Sequence, residues 1–249
     1  MLNDDQLLRY NRQILLNDFD VAGQERLGKA TVLVVGLGGL GCPAALYLGA
    51  AGVGRLILAD GDEVELSNLQ RQIAHTDSDI GQNKAESAAA KVRAINSDIQ
   101  VDAIAQHLEE GSVEQQLKGV DLVVDATDNF PIRFALNRAC IAAKIPLVSA
   151  AAVRSEGQLA VFDPAHGGPC YRCLYPLEGA ETALSCTQSG VLAPVVGILG
   201  SMQAMEALKV LSGFGEPLLG SLLVMDLKSM EVRRLGLKPR PDCPDCTHP

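Results

Sequence analysis

The chain has no tryptophan, and phenylalanine and tyrosine together bring its aromatic share to only 4% of 249 residues. Aromatic platforms of the kind that stack single-stranded bases are therefore scarce. Positive charge is also short: 21 Lys and Arg against 30 Asp and Glu leave a net charge of −9. That balance argues against a nucleic-acid partner. An acidic chain of this kind binds a nucleotide only by concentrating its few cations in one cleft. No apolar run reaches the ~18 residues a membrane span needs. The start Met1-Leu2-Asn3-Asp4-Asp5 lacks the basic-then-apolar pattern of a secretory signal. The expectation is a cytoplasmic protein with no membrane partner. Seven cysteines is an odd count for a disulfide framework, and a reducing compartment would keep them as thiols.

What is present is a hydrophobic content of 47% over a length that suits one large α/β domain. The strongest local signal is Thr31 to Gly41, T-V-L-V-V-G-L-G-G-L-G. Its first five residues read as a short buried strand. Gly36, Gly38 and Gly41 then form G-x-G-x-x-G, with Gly39 inside it. Gly36 suits a tight turn, and Gly38 and Gly39 leave room for a phosphate against the backbone. Gly41 lets the following helix (about Pro43 to Ala51) pack on the strand and offer its free N–H groups to an anion. A second strand, Arg55 to Ala59, ends on Asp60, about 20 residues on, where an acid meets ribose hydroxyls. The alternative is a purely structural glycine turn with an acidic strand end.

Before the loop, Asp4 to Asn17 reads as one amphipathic helix carrying Arg9 and Arg12, followed by a helix over Val21 to Gly28. After Asp60 comes an acidic loop, Asp62, Glu63 and Glu65, of which Asp62 joins the nucleotide-site candidates. Ser67 reads as the N-cap of a short helix holding Asn68, Gln70 and Arg71. A long helix over Ile80 to Asn96 has Lys84 in its first turn, where a cation opposes the helix dipole. That local violation suggests a ligand role, with a solvated lysine as the alternative. Further strands are expected at Ile99 to Ala105, Asp121 to Asp125, Pro146 to Val153 and Gly157 to Phe162, and a short helix at Ser112 to Leu117. The fourth strand runs out as V-V-D-A-T-D-N, which puts Asp125, Asp128 and Asn129 on the same sheet edge as the glycine loop. Asp128 suits a Mg²⁺ ion against phosphate oxygens, or equally the N-cap of a helix over Pro131 to Ala143. An apolar helix, Val191 to Leu211, and strands at Ser221 to Asp226 and Glu231 to Leu235 complete the chain. The organisation reads as a single domain over 1–249: N-terminal helices (1–28), a nucleotide-binding part (29–153) and a β-rich part (154–249).

Two C-x-x-C pairs, Cys170/Cys173 and Cys243/Cys246, leave Cys42, Cys140 and Cys186 single. Four thiolates suit a closed tetrahedral zinc site, structural because no coordination position stays open. Two separate redox motifs, or a site with His166 or His248 replacing one cysteine, are the competing readings.

In order, R-Y-N-R-Q-I, V-V-G-L-G-G-L-G, S-N-L-Q-R-Q, D-A-T-D-N, C-Y-R-C and C-P-D-C resemble the HesA/MoeB/ThiF family, bacterial relatives of ubiquitin-activating enzymes. The resemblance implies an α/β fold with a Rossmann-like, mostly parallel sheet, a β-rich C-terminal extension and structural zinc. It also implies ATP-dependent adenylation of the C-terminal glycine of a ubiquitin-like sulfur carrier, giving an acyl-adenylate and pyrophosphate. The family's nucleotide site falls on Gly39, Asp60, Ser67, Asn68, Leu69, Gln70, Arg71, Lys84, Asp128 and Asn129, and its zinc ligands on the four paired cysteines. Arg12 matches an arginine that reaches the neighbouring subunit's ATP site, which implies a homodimer. Cys186, in L-S-C-T-Q, matches the cysteine of members that link covalently to the carrier. No rhodanese-like domain is expected after Cys246, and the resemblance then implies a separate desulfurase or rhodanese as the source of sulfur.

Within the family, MoeB-like members serve molybdopterin synthase through a MoaD-like carrier, and ThiF-like members serve thiazole synthesis through a ThiS-like one. The run from V-G-L-G-G-L-G-C through G-S-M-Q-A-M-E-A favours the MoeB-like side. Two other classes fit parts of the pattern: a NAD-dependent oxidoreductase, for the glycine loop and Asp60, and a non-enzymatic nucleotide-binding protein that docks a ubiquitin-like fold. The cluster Asn68, Arg71, Lys84 and Asp128, with no obvious proton-donating His or Tyr near a strand end, speaks against the first, and the presence of both Arg71 and Asp128 against the second.

Overall fold

Residues 31–35 are buried from Val32 onward and pair on both sides, which places this strand in the middle of the sheet. The computed structural model describes residues 1–176 and 190–246. Its eight strands are β1 (Thr31–Val35), β2 (Arg55–Ala59), β3 (Gln100–Ile104), β4 (Leu122–Asp125), β5 (Leu147–Val153), β6 (Glu156–Phe162), β7 (Ser221–Asp226) and β8 (Glu231–Gly236). They form one sheet in the order β3-β2-β1-β4-β5-β6-β7-β8. The first five are parallel, and β6, β7 and β8 add on antiparallel. The β-rich C-terminal part is thus a continuation of the parallel sheet, not a layer of its own.

The helices are α1 (Asp4–Arg9), α2 (Asn11–Ile14), α3 (Asp20–Leu27), α4 (Gly41–Ala51), α5 (Lys84–Ile95), α6 (Glu110–Gln116), α7 (Phe130–Ala143), α8 (Tyr171–Leu174) and α9 (Ala193–Ser212). Near-continuous apolar strands such as T-V-L-V-V and L-I-L-A require cover on both faces. One face buries Val32, Val34, Leu56 and Val124 with Leu48 of α4, Val92 of α5 and Leu199 of α9. The other buries Leu33, Val35, Ile57 and Val123 with Leu136 of α7 and Tyr171 of α8.

Strand positions match the sequence reading to within two residues; several helix expectations are corrected. The N-terminal segment is two short helices, broken at Tyr10. Its buried ring covers Gly52, and its hydroxyl accepts from Asn96 Nδ2 at 2.8 Å. Arg9 spends its guanidinium on Asp98 and the Ile95 carbonyl. Helix α5 starts at Lys84, not Ile80, because Asn83 caps it by accepting from the N–H groups of Ala85 and Glu86. Helix α6 starts two residues earlier than expected, at Glu110. Ser67 does not cap the turn over Leu66–Asn68; Glu65 holds that position, and Ser67 Oγ donates to its carboxylate.

Helix α9, with 20 residues and a mean hydropathy of 1.3 in its most apolar window, is long and apolar enough to cross a membrane by length and composition. The sequence expectation that no such stretch exists is corrected here. Its packing is that of a core helix. Val195, Val196 and Leu199 are buried against the sheet, Gln203 Nε2 donates to the Asp125 carbonyl at 2.7 Å, and Glu206 accepts from Leu218 N–H.

Candidate functional site

The C-terminal ends of the parallel strands open into a cleft of about 1200 Å³, above the 300–1,000 Å³ usual for a small-ligand pocket. Its floor is the glycine loop. Gly36 has φ +89° and lies so close to β4 that a Cβ would meet the Ala126 carbonyl at 2.8 Å, and a Cβ on Gly41 would meet Gly36 O at 1.8 Å. Gly39 is glycine for packing: its Cβ would collide with Val196 of α9 at 2.7 Å. Gly38 alone keeps open space, with only Gln72 Nε2 at 3.6 Å. Gln72 is buried in the cleft wall, and its Oε1 has no hydrogen-bond partner among the described residues. An open backbone beside an orphaned acceptor fits a ligand at this point. Behind the loop, His75 Nε2 lies 3.1 Å from the Leu37 carbonyl and Cys42 Sγ donates to the same oxygen. Burial lowers the His75 pKa and pushes the Cys42 thiol up to about 12. Both are neutral braces.

Asp60, at the end of β2, accepts from Leu37 N–H at 2.7 Å through Oδ2 and from Asp62 N–H at 2.9 Å through Oδ1. It fixes the glycine loop while keeping further lone pairs free for hydroxyls. Lys84 is buried and donates from Nζ to Asp62 Oδ2 at 2.8 Å. Arg71 stands in the cleft wall with Nη1 on the Ser67 carbonyl.

At the end of β4 the structure separates residues that the sequence grouped. Asp125 is fully buried, accepting from Thr127 N–H and Oγ1 and from Ser149 Oγ, so it faces the sheet and not a ligand. Beneath it, buried Arg133 of α7 donates to the Thr127 and Ala150 carbonyls. Burial disfavours its charge, but neighbouring Asp125 prevails and keeps its pKa above the ordinary arginine value. The N-cap of α7 is Asn129, whose Oδ1 accepts from Ile132 N–H at 3.2 Å. Asp128 is therefore not the cap. It is exposed in the cleft wall.

Of the sequence candidates, Gly36, Gly38, Gly39, Asp60, Asp62, Asn68, Arg71, Lys84, Asp128 and Asn129 line this one cleft. Gly41, Ser67, Leu69 and Gln70 do not. Gly41 acts through packing, and Ser67 and Gln70 are exposed on the turn. Arg12 is exposed outside the cleft, and Cys186 and His248 lie outside the described residues. Among the described residues the expected concentration of cations is absent within one chain: Asp60, Asp62, Glu63, Glu65, Glu109, Glu110, Asp128 and Glu156 outnumber Arg71, Lys84 and the buried Arg133. Gln72, Arg133 and Thr127 were missed by sequence reasoning. Gln72, last in S-N-L-Q-R-Q, and Thr127, within D-A-T-D-N, each lay in a recognisable motif, and Arg133 did not.

On the α7–α8 side, Cys170 and Cys243 sulfurs approach to 3.6 Å and those of Cys173 and Cys246 to 3.3 Å, with all four within 4.8 Å of one another. A tetrahedron with Zn–S near 2.3 Å sets sulfurs about 3.8 Å apart, so the donor set fits zinc. Two independent redox pairs do not fit this convergence, and His166 turns instead to Asp163. Asn137 of α7 joins both cysteine loops: Oδ1 accepts from Tyr171 N–H at 2.9 Å and Nδ2 donates to Asp245 Oδ2 at 2.8 Å.

Comparison with known proteins agrees with this architecture. The ThiF family profile matches residues 10–245. The chain is 49% identical over 245 residues to molybdopterin-synthase adenylyltransferase of Escherichia coli, covering 98% of each. It is 46% identical to the sulfur carrier protein ThiS adenylyltransferase of the same organism, covering 98% of this chain and 97% of that one. Among solved structures, Escherichia coli MccB with ATP superposes with a TM-score of 0.84 at 25% identity, over 98% of this chain and 75% of that one. The chain belongs to the ThiF family.

Proposed function

We propose that this protein is an adenylyltransferase that activates the C-terminal glycine of a ubiquitin-like sulfur carrier, with ATP as co-substrate and pyrophosphate as product. The observation that carries the reading is that Asn68, Arg71, Lys84 and Asp128 line the same cleft as the open backbone at Gly38. An open α/β sheet holds nucleotides at this edge. The names of the 49% and 46% identical relatives support the reaction class. A MoaD-like carrier, for molybdenum cofactor synthesis, is the first assignment. A ThiS-like carrier, for thiazole synthesis, is the second, supported by the ThiS adenylyltransferase relative.

In the reaction a glycine carboxylate oxygen forms a bond to the α-phosphorus while the bond to the bridging oxygen breaks, its electrons leaving with pyrophosphate. Two anions meet and the leaving group gains charge, so preformed positive charge is the main requirement. Arg71 and Lys84 supply it from this chain. Asp60 takes the ribose hydroxyls, and the N–H groups at Gly38 and Gly39 receive phosphate oxygens. A Mg²⁺ ion held by Asp128 would neutralise the departing phosphates. The carboxylate excess in the cleft supports a need for both that ion and a further cation. Exposed Arg12 of a second subunit is that cation, which makes the working form a homodimer. No side-chain nucleophile takes part in adenylation, so Cys186 is reserved for any later covalent step.

The four-cysteine cluster is assigned to structural zinc, since a closed Cys₄ set leaves no position for water or substrate. Reduced thiols of this kind suit the cytoplasm. Adenylation consumes no sulfur, so a separate donor acts afterwards. ATP–pyrophosphate exchange with each carrier type tests the reading. Exchange that disappears when the terminal glycine is deleted supports it. Undiminished ATP binding without exchange, with either carrier, favours the non-enzymatic docking protein, and reduction of NAD would favour the oxidoreductase.

A further inference from the structure

We propose that His107 is the base-stacking residue of the nucleotide cleft. This inference rests on the adenylation reading and extends it to the end of the cleft that none of the residues above occupies. With phosphates at the glycine loop and ribose at Asp60, the base must lie beyond the end of β2, against the segment that follows β3. That wall consists of Gln106, His107, Leu108 and Glu109, and His107 is its aromatic member.

Three observations single the side chain out. Residue 107 packs on Gly61, where a Cβ would fall 2.5 Å from Cγ and Cδ2 of the imidazole and from the His107 backbone N alike. Gly61 has no positive φ, so this close approach, and no turn geometry, is what requires a glycine between Asp60 and Asp62. Second, Nε2 lies 3.4 Å from Asp62 Oδ1, while the other oxygen of the same carboxylate accepts from Lys84. The ring edge therefore lies beside the carboxylate that also holds the phosphate-side lysine. Third, the side chain remains 70% exposed. A flat ring seated over Gly61, with one edge beside Asp62 and its remaining surface exposed in the cleft wall, suits stacking on a purine. Base stacking on a protein ring tolerates any base, so the role is affinity and placement and not discrimination between purines.

The test is calorimetric binding of ATP and of inorganic tripolyphosphate to the full-length protein. Wild type is expected to bind both. His107→Ala should weaken ATP about tenfold and leave tripolyphosphate unchanged, and His107→Phe, which stacks without reaching Asp62, should restore ATP binding. Equal ATP affinity in His107→Ala overturns the proposal. So does an equal loss for tripolyphosphate, which would mean that His107 acts through Asp62 and Lys84. A second readout needs no variant that must fold: the His107 ring-proton resonance should move upfield with ATP and not with tripolyphosphate, and an unmoved resonance at saturating ATP also overturns it. Absence of ATP binding in wild type would instead remove the adenylation reading beneath it.

Discussion

Lys84 Nζ donates to Asp62 Oδ2 at 2.8 Å, with the lysine buried and the carboxylate exposed. Lys84 is also the first residue of α5, where the helix dipole repels it. A buried ammonium kept at an unfavourable helix end has a place set by its partner and by what lies in the cleft. Lys84→Ala should lower pyrophosphate exchange by about two to three orders of magnitude. Asp62→Asn, which keeps an acceptor in place, should leave more activity than Lys84→Ala. Steady-state exchange rates of the two variants check this, and equal rates in wild type and Lys84→Ala contradict it.

Asp128 and Asn129 are neighbours with separable duties. Asn129 caps α7, so Asn129→Ala should cost about 1 kcal/mol in a denaturation midpoint. Asp128 is exposed and is no cap. Asp128→Ala should therefore unfold like wild type while nearly abolishing exchange. A destabilised Asp128→Ala would return the residue to a structural role.

The cysteine cluster and Asn137 form one unit. Purified protein should contain one zinc per chain by elemental analysis, and its removal by chelation should lower the melting temperature. Asn137→Ala would leave the Tyr171 N–H and the Asp245 carboxylate without this partner, at a cost of about 1–3 kcal/mol. Unchanged melting after confirmed metal loss would contradict a structural ion.

His75 links stability to pH. Burial lowers its pKa below 6.5 in the folded protein, while in the unfolded chain it titrates near the ordinary value of about 6.5. Between those two values the unfolded state binds more protons, so stability rises with pH through the interval and levels off above about 6.5. Asp79, whose pKa is also lowered, starts from 3.8 and acts in a more acidic range. The melting temperature should fall from pH 7.5 to 5.5, and His75→Gln should flatten that change. An equally steep fall in the variant would place the effect elsewhere.

The glycine loop, the strands and the paired cysteines were legible in the sequence because each is specified locally: apolar runs of four or five residues, glycines at fixed spacing, thiols two residues apart. Side-chain roles set by distant partners were not. Asp125 and Asp128 look alike in D-A-T-D-N, and the first is turned inward by Thr127 beside it together with Ser149 and Arg133 from other elements. The missing side chain of Gly39 reads as room for a phosphate until Val196, far along the chain, is seen to need that space. Ser67 lost the capping position to Glu65, a residue whose longer carboxylate is a weaker sequence signal for a cap. The N-terminal helix was drawn too long because the pattern of leucines does not reveal that Tyr10 turns into the core.

The central claim is that a glycine carboxylate attacks the α-phosphorus of ATP in this cleft. Intact-mass spectrometry of a MoaD-like or ThiS-like carrier, incubated with this protein, ATP and Mg²⁺ and quenched in acid, tests it most directly. The account predicts a carrier heavier by one adenylyl group, matched by an equal amount of pyrophosphate, and no adduct when the terminal glycine is deleted. An unmodified mass for both carriers, under conditions where ATP is bound, would contradict it.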